Sequence, residues 1–136
     1  HPLEREFARL SDYLELMAIR MGPRLSYELR LPPPLAGHAV PTLLLQPLVE
    51  NAIRHGLEPQ VQGGRLTVSA RAEGGELVLE VLDTGVGPGA PAPGGGFGLA
   101  QVGERLATVY GSRARLSFGP GEPCGTRAAI HLPIAA

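Results

Sequence analysis

The chain contains no lysine: all twelve basic residues are arginines, set against thirteen acids for a formal net charge of −1. That balance offers no footing for a nucleic-acid backbone, which is normally met by a basic patch. It also means that any cationic side chain facing a phosphate is a planar, bidentate guanidinium rather than an ammonium. Cysteine is almost as scarce. A single one, Cys124, excludes an internal disulfide and a multi-cysteine metal site, and it reads as a small loop residue. No apolar run approaches the roughly 20 residues that cross a bilayer, and the amino terminus lacks the charged-then-apolar order of a signal peptide. The chain therefore reads as soluble. Its 136 residues suffice for one domain that buries about two thirds of its extended surface, and are too few for a second core.

What is present is strong periodicity. From Pro2 to about Met21, apolar residues at Leu3, Phe7, Leu10, Leu14, Met17 and Met21 recur every three or four positions, the period of an amphipathic helix, and Gly22-Pro23 stops it. Residues 24–31 alternate Leu25, Tyr27, Leu29 and Leu31 with polar residues, predicting a strand with one buried side that ends at Pro32-Pro33-Pro34. Residues 37–40 read as a loop, after which Pro41 or Thr42 is placed to open a helix. Pro47 either kinks that helix or marks a regular part beginning near Gln46. Residues 65–72 and 76–83 alternate as two strands joined by Glu73-Gly74-Gly75, a hairpin signature. Residues 99–110 read as a helix closed by Gly111, and 114–119 with 126–133 as a final hairpin. The sum is an α+β, two-layer sandwich: a mixed, mostly antiparallel sheet covered by helices on one face, the other face wet and carrying Thr67, Ser69, Arg71, Arg127 and His131.

Two segments stand apart from this scaffold. Leu45-Gln46-Pro47-Leu48-Val49-Glu50-Asn51-Ala52-Ile53-Arg54-His55-Gly56 has an apolar stripe of Leu45, Leu48, Val49, Ala52 and Ile53, while helical spacing puts positions 47, 51, 54, 55 and 58 on one face. Asn51, Arg54 and His55 are thereby expected to point at one place. The second segment, residues 85–98, holds seven glycines and three prolines in fourteen positions. With no apolar surface to bury, it reads as a mobile loop that orders only by closing over something.

Together with Asp83-Thr84-Gly85-Val86-Gly87, Gly94-Gly95-Gly96-Phe97-Gly98-Leu99 and Gly125-Thr126, in that order, the Asn-Ala-Ile-Arg-His-Gly segment resembles the ATP-binding catalytic domain of sensor histidine kinases. These belong to the superfamily that also holds gyrase, the large heat-shock chaperone and mismatch-repair ATPases, with the Bergerat-type ATP-binding fold. Leu-Gln-Pro-Leu-Val-Glu-Asn, with Tyr13-Leu14-Glu15-Leu16 and Arg20-Met21-Gly22, is similar to the subfamily of cell-wall and peptide sensors. The resemblance implies that residues 1–21 continue from an upstream dimerisation and phosphoacceptor region, packing on their own continuation or on a partner subunit, and that 22–136 form the ATP-binding domain. It further implies a homodimeric, membrane-anchored bacterial protein with this domain in the cytoplasm, and a response regulator as phosphate receiver.

Each motif has a chemistry suited to Mg2+-ATP. Asp83 would stand at the floor of the pocket, where a carboxylate, an acceptor only, takes a hydrogen bond from the adenine amino group and refuses guanine. Gly85 and Gly87 let the backbone approach the base. Gly96, Phe97, Gly98 and Leu99 put a glycine turn at a helix amino terminus, where free amides attract phosphate. The resemblance implies that Asn51 holds Mg2+ through its amide oxygen, that Arg54 and His55 touch phosphate and ribose or base, and that Thr126 reaches adenine. Glu50 either polarises the metal's shell or is a solvated carboxylate; Arg105 faces phosphate or solvent. Pro47 occupies the position, one turn before the asparagine, where the hydrolytic branches and the anti-sigma-factor serine kinases carry a glutamate base. The site is thus expected to present a terminal phosphate to an upstream histidine while activating water poorly, with Asn51, Glu50 and Arg54 as its catalytic set. The residues at hand are expected to bind ATP and ADP without phosphorylating themselves. An anti-sigma-like serine kinase and a nucleotide-sensing module without transfer activity are the alternatives.

Overall fold

The amino-terminal apolar stripe folds as helix α1, Leu3–Met21, in a computed structural model that describes residues 1–87, 97–121 and 124–134. Glu4 and Glu6 in its first turn suit the positive end of the helix dipole, and Gly22, at φ 64°, ends it with a backbone that favours glycine. Leu3, Phe7, Leu10, Leu14, Met17 and Met21 are all buried in one core shared with the sheet. The stripe expected to meet a continuation or a partner therefore packs within this domain, against the first strand and the second helix. Only the opposite face, at Leu16 and Ile19, is left exposed.

Strand β1, Leu25–Arg30, is followed by a tight turn at Pro33–Leu35. The next helix does not begin at Pro41 or Thr42. It begins at Gln46, after a turn in which Leu43 takes φ 57°. Pro47 sits in the first turn of helix α2, Gln46–Asn51, where a missing N–H breaks no helical bond, so no kink results. A regular helix through Gly56 was the expectation, but Ala52–Leu57 widens into a π-turn, with the Glu58 N–H donating to the Ile53 carbonyl at 2.8 Å. The reason lies at its end. The Gly56 carbonyl leaves the helical ladder and accepts the Val86 N–H at 3.1 Å, and the Arg24 guanidinium donates to the Glu58 and Gln60 carbonyls at 2.8 and 2.9 Å.

Strands β2, Gly64–Glu73, and β3, Glu76–Asp83, form the expected hairpin around Gly74 and Gly75, both at positive φ. Helix α3, Phe97–Tyr110, precedes β4, Arg115–Pro120, and β5, Thr126–Pro133. The sheet order is β1-β2-β3-β5-β4, with β1 parallel to β2 and the other pairs antiparallel. Odd-numbered positions of β3 enter the core beneath the helices. Even-numbered ones face outward, where Glu80 pairs with Arg127 at 2.7 Å and Arg71 at 3.6 Å, and Glu76 with Arg115 at 3.1 Å. Arginine stems shelter apolar neighbours on that face: Val78 and Ala129 are buried there, apart from the main core.

Candidate functional site

Strand β3 is buried along Leu77, Leu79 and Val81, and the same alternation carries Asp83 inward at the strand's last position. Its carboxylate is 2 % exposed. One oxygen accepts the Gly85 N–H at 2.8 Å, and the backbone of Thr126, its register partner on β5, supports it as well. Burial pushes the Asp83 carboxyl above the ordinary aspartate range, and the bonds from Gly85 and Thr126 only partly offset this. An ionised carboxylate offers about four acceptor sites, so these two bonds leave it able to accept more.

The walls around it are backbone. A Cβ added at Gly56 would stand 2.7 Å from Asp83 Oδ1, one at Gly85 would collide with the Gly56 carbonyl, and one at Gly125 with the Asp83 carbonyl. Three chain segments therefore meet at van der Waals distance only because each lacks a side chain there. Gly85 was expected at the site; Gly56 and Gly125 were quoted only as parts of motifs. The signal that could have singled them out was their position at the edge of a motif, beside His55 and Thr126.

The remaining site residues are distributed around this floor. Thr126 is buried at the start of β5, and Gly87 takes φ 88° beyond the Asp83 turn. Glu50 and Asn51 end α2, both half-buried, while Arg54 and His55 are exposed on the π-turn immediately before Gly56. Arg54 and Glu50 lie on the flank toward α1. Burial foremost, then the charges of Glu50 and Glu58, raise the Tyr13 hydroxyl's pKa, whereas Arg54 and Arg20 lower it. Arg20 also approaches Glu58 at 3.8 Å. Phe97, Gly98 and Leu99 open α3; Gly96, with most of the glycine-rich loop, lies outside the described residues. Arg105, half-buried on α3, donates through Nη1 to the Leu43 carbonyl at 3.2 Å.

The donor set fits a nucleotide better than a metal held by protein alone. Among the described residues no three of His, Cys, Asp and Glu gather around a common point. An ion beside Asn51 would take its other ligands from phosphate oxygens and water, as magnesium commonly does.

The family of histidine kinase-, DNA gyrase B-, and HSP90-like ATPases matches residues 40–136. Sensor histidine kinase BtsS of Escherichia coli K12 is 32 % identical over 131 residues, covering 96 % of this chain and 23 % of that protein. Sensor histidine kinase YpdA of the same strain is 31 % identical over 140 residues, covering 96 % and 24 %. The chain thus spans about a quarter of the length of these relatives. The histidine kinase domain of the blue-light activated kinase from Erythrobacter litoralis EL346 superposes with a TM-score of 0.69 at 19 % identity, over 98 % of this chain and 61 % of that one, a likeness of fold. With a mixed five-stranded sheet under one layer of helices and a buried aspartate at its glycine-walled floor, the chain belongs to the histidine kinase-, DNA gyrase B- and HSP90-like ATPase family.

Proposed function

We propose that this chain is the catalytic, ATP-binding part of a two-component sensor histidine kinase, which presents the γ-phosphate to a histidine outside the present sequence for relay to a response regulator. The observation that carries this reading is Asp83: a carboxylate kept in the core without a cationic partner among the described residues, its surroundings held open by glycines. A group so costly to bury is explained by a ligand donor such as the adenine amino group. Thr126 lies across the strand pair from it, and Gly85 and Gly87 would let the base lie against backbone. Asn51 would hold magnesium, which when bound supplies neutralisation of charge on the phosphate oxygens. Arg54 and His55, exposed on the π-turn, are the proposed phosphate and ribose contacts, and Phe97, Gly98 and Leu99 the amide-rich end for the tail.

The acceptor imidazole is nucleophilic when neutral and needs no strong base. Pro47, in the first turn of α2, puts no proton acceptor one helical turn before Asn51; this favours transfer to histidine over the serine-kinase reading and over hydrolysis. Residues 1–21 are proposed to continue from a dimerising, phosphate-accepting region, and the whole protein to be a membrane-anchored homodimer with this part in the cytoplasm. No described helix is long and apolar enough to cross a membrane. The decisive experiment titrates the chain with ATP and Mg2+, then adds a longer chain containing the upstream helix. Nucleotide binding followed by acid-labile, base-stable phosphohistidine on the longer chain is the expected result. Binding without phosphohistidine would leave a nucleotide sensor.

A further inference from the structure

Among the described residues, Leu43 is the one non-glycine residue with positive φ, at 57°, a backbone state that L side chains rarely adopt. It is gripped from two helices. Glu6, on α1 and only 1 % exposed, accepts the Leu43 N–H through Oε2 and the Leu45 N–H through Oε1, both at 3.0 Å, and also meets His1 Nε2 at 2.9 Å. From α3, Arg105 Nη1 donates to the Leu43 carbonyl at 3.2 Å. A carboxylate in such burial is tolerated because its oxygens are hydrogen-bonded, and here two of those bonds tie the chain just before α2 to α1.

The helix that follows this turn, α2, and the helix that supplies Arg105, α3, are those assigned to the phosphate end of the site. α2 ends at Asn51, and α3 starts at Phe97. The adenine end is held by other means: the β3–β5 pairing of Asp83 with Thr126, the Gly56–Val86 hydrogen bond, and the Arg24 grip on Glu58 and Gln60. None of these runs through Leu43. The far end of the α2–π segment is therefore pinned to the sheet, whereas its near end is held by the burial of Leu44, Leu45 and Leu48 in the core and by the hydrogen bonds that Glu6 and Arg105 make to the strained turn.

We infer that Glu6 and Arg105 are positioning residues that set α2 against α3 through Leu43, and so govern recognition of the phosphate tail while leaving adenine recognition alone. The inference rests on the nucleotide-binding reading above. A Gln at position 6 could accept through one oxygen only and would set an N–H against the second backbone donor. An Arg105→Met exchange removes the link to α3 without disturbing the buried carboxylate.

The test is calorimetric titration of the chain and both variants with Mg-ATP and with adenosine. Glu6→Gln and Arg105→Met are each expected to weaken ATP binding about tenfold and adenosine binding less than about twofold, as a displaced contact at one end of a ligand does. Adding Leu43→Gly to Arg105→Met, which relieves the strain that the link restrains, should recover part of the ATP affinity. If Glu6→Gln does not fold, Arg105→Met decides. ATP and adenosine affinities falling together, or an unchanged ratio in Arg105→Met, would overturn the positioning role alone. Failure of the unsubstituted chain to bind either ligand would overturn the nucleotide reading and this inference with it.

Discussion

Strand β3 carries two carboxylates three residues apart that meet opposite fates. Glu80 faces outward and lies between Arg127 at 2.7 Å and Arg71 at 3.6 Å, its charge answered by two guanidiniums. Asp83 faces inward, 2 % exposed, and its charged form is supported only by backbone donors of Gly85 and Thr126. The parity of a strand, with side chains alternating between faces, is enough to separate them. One acid completes a surface; the other is left with acceptor capacity that the protein itself does not use. Chemistry of the residue alone does not distinguish a structural from a functional carboxylate, whereas the identity of its partners does.

The sharpest way to break this contrast is to remove each charge in turn and ask which one ATP notices. A ligand at about a hundred times its Kd stabilises the native state by about 2.7 kcal/mol. In thermal denaturation with and without Mg-ATP, Asp83→Asn is expected to lose that stabilisation entirely, and Asn51→Ala most of it. Glu80→Gln should keep it in full. Equal shifts in the Asp83 and Glu80 variants would place the nucleotide elsewhere.

Next in size is the crowding around Asp83, which has no counterpart at Glu80. Gly56→Ala would push a methyl to 2.7 Å from Asp83 Oδ1, and overpacking of this kind costs about 1–3 kcal/mol. Urea denaturation should show that loss without nucleotide, and ATP binding should weaken as well, because the carboxylate has to move. An alanine at 56 with unchanged stability and unchanged affinity would mean that the floor is looser than the contacts imply.

Much of this was legible beforehand, for reasons that differ by element. α1, β2 and β3 each bury one face against the shared core, so their periods of 3.6 and 2 are written directly into Leu3 through Met21 and Leu66 through Val81. Asp83, Gly85 and Thr126 could be found because they form local motifs at strand ends. What stayed hidden depended on contacts between segments far apart in sequence. The π-turn at Ala52–Leu57 follows from Gly56 bonding to Val86, thirty residues later, and the late start of α2 from Glu6 gripping the amides of Leu43 and Leu45. Glu6 itself left a trace: an acid three residues after Leu3 and just before Phe7, on the flank of the buried stripe, is a place where solvation is expensive. Arg105 left none, because an arginine on a helix reaching a carbonyl looks the same in sequence as one reaching water.

The third effect is in pH and sharpens the comparison without nucleotide. Burial holds the Asp83 carboxyl above its ordinary 3.8, so the folded chain binds that proton more tightly than the unfolded chain. Stability from this group is complete below 3.8 and is lost as pH rises through the raised folded value. The stability difference between Asp83→Asn and the unsubstituted chain should therefore grow in the variant's favour across that window and level off above it. The denaturation free energies of both proteins, measured without ATP from acid to neutral pH, check the sign. A difference that is flat throughout would mean that Asp83 is not held protonated longer by folding.

The smallest effect belongs to Glu80. Its two arginine partners are more than a third exposed, at 38 % and 41 % of their side-chain surface, so solvent screens the pairs and each contributes at most about 1 kcal/mol. Glu80→Gln nevertheless leaves Arg71 and Arg127 side by side without the carboxylate between them, although Glu73 still holds Arg71 at 2.7 Å. The loss should be about 0.5–1 kcal/mol at low ionic strength and should shrink toward zero in about 1 M salt, where the Debye length falls to roughly 3 Å. Urea midpoints at the two salt concentrations measure it. If the loss persisted undiminished in high salt, Glu80 would be acting through packing over Val78 and Ala129 rather than through charge, and its contrast with Asp83 would be one of shape instead of partners.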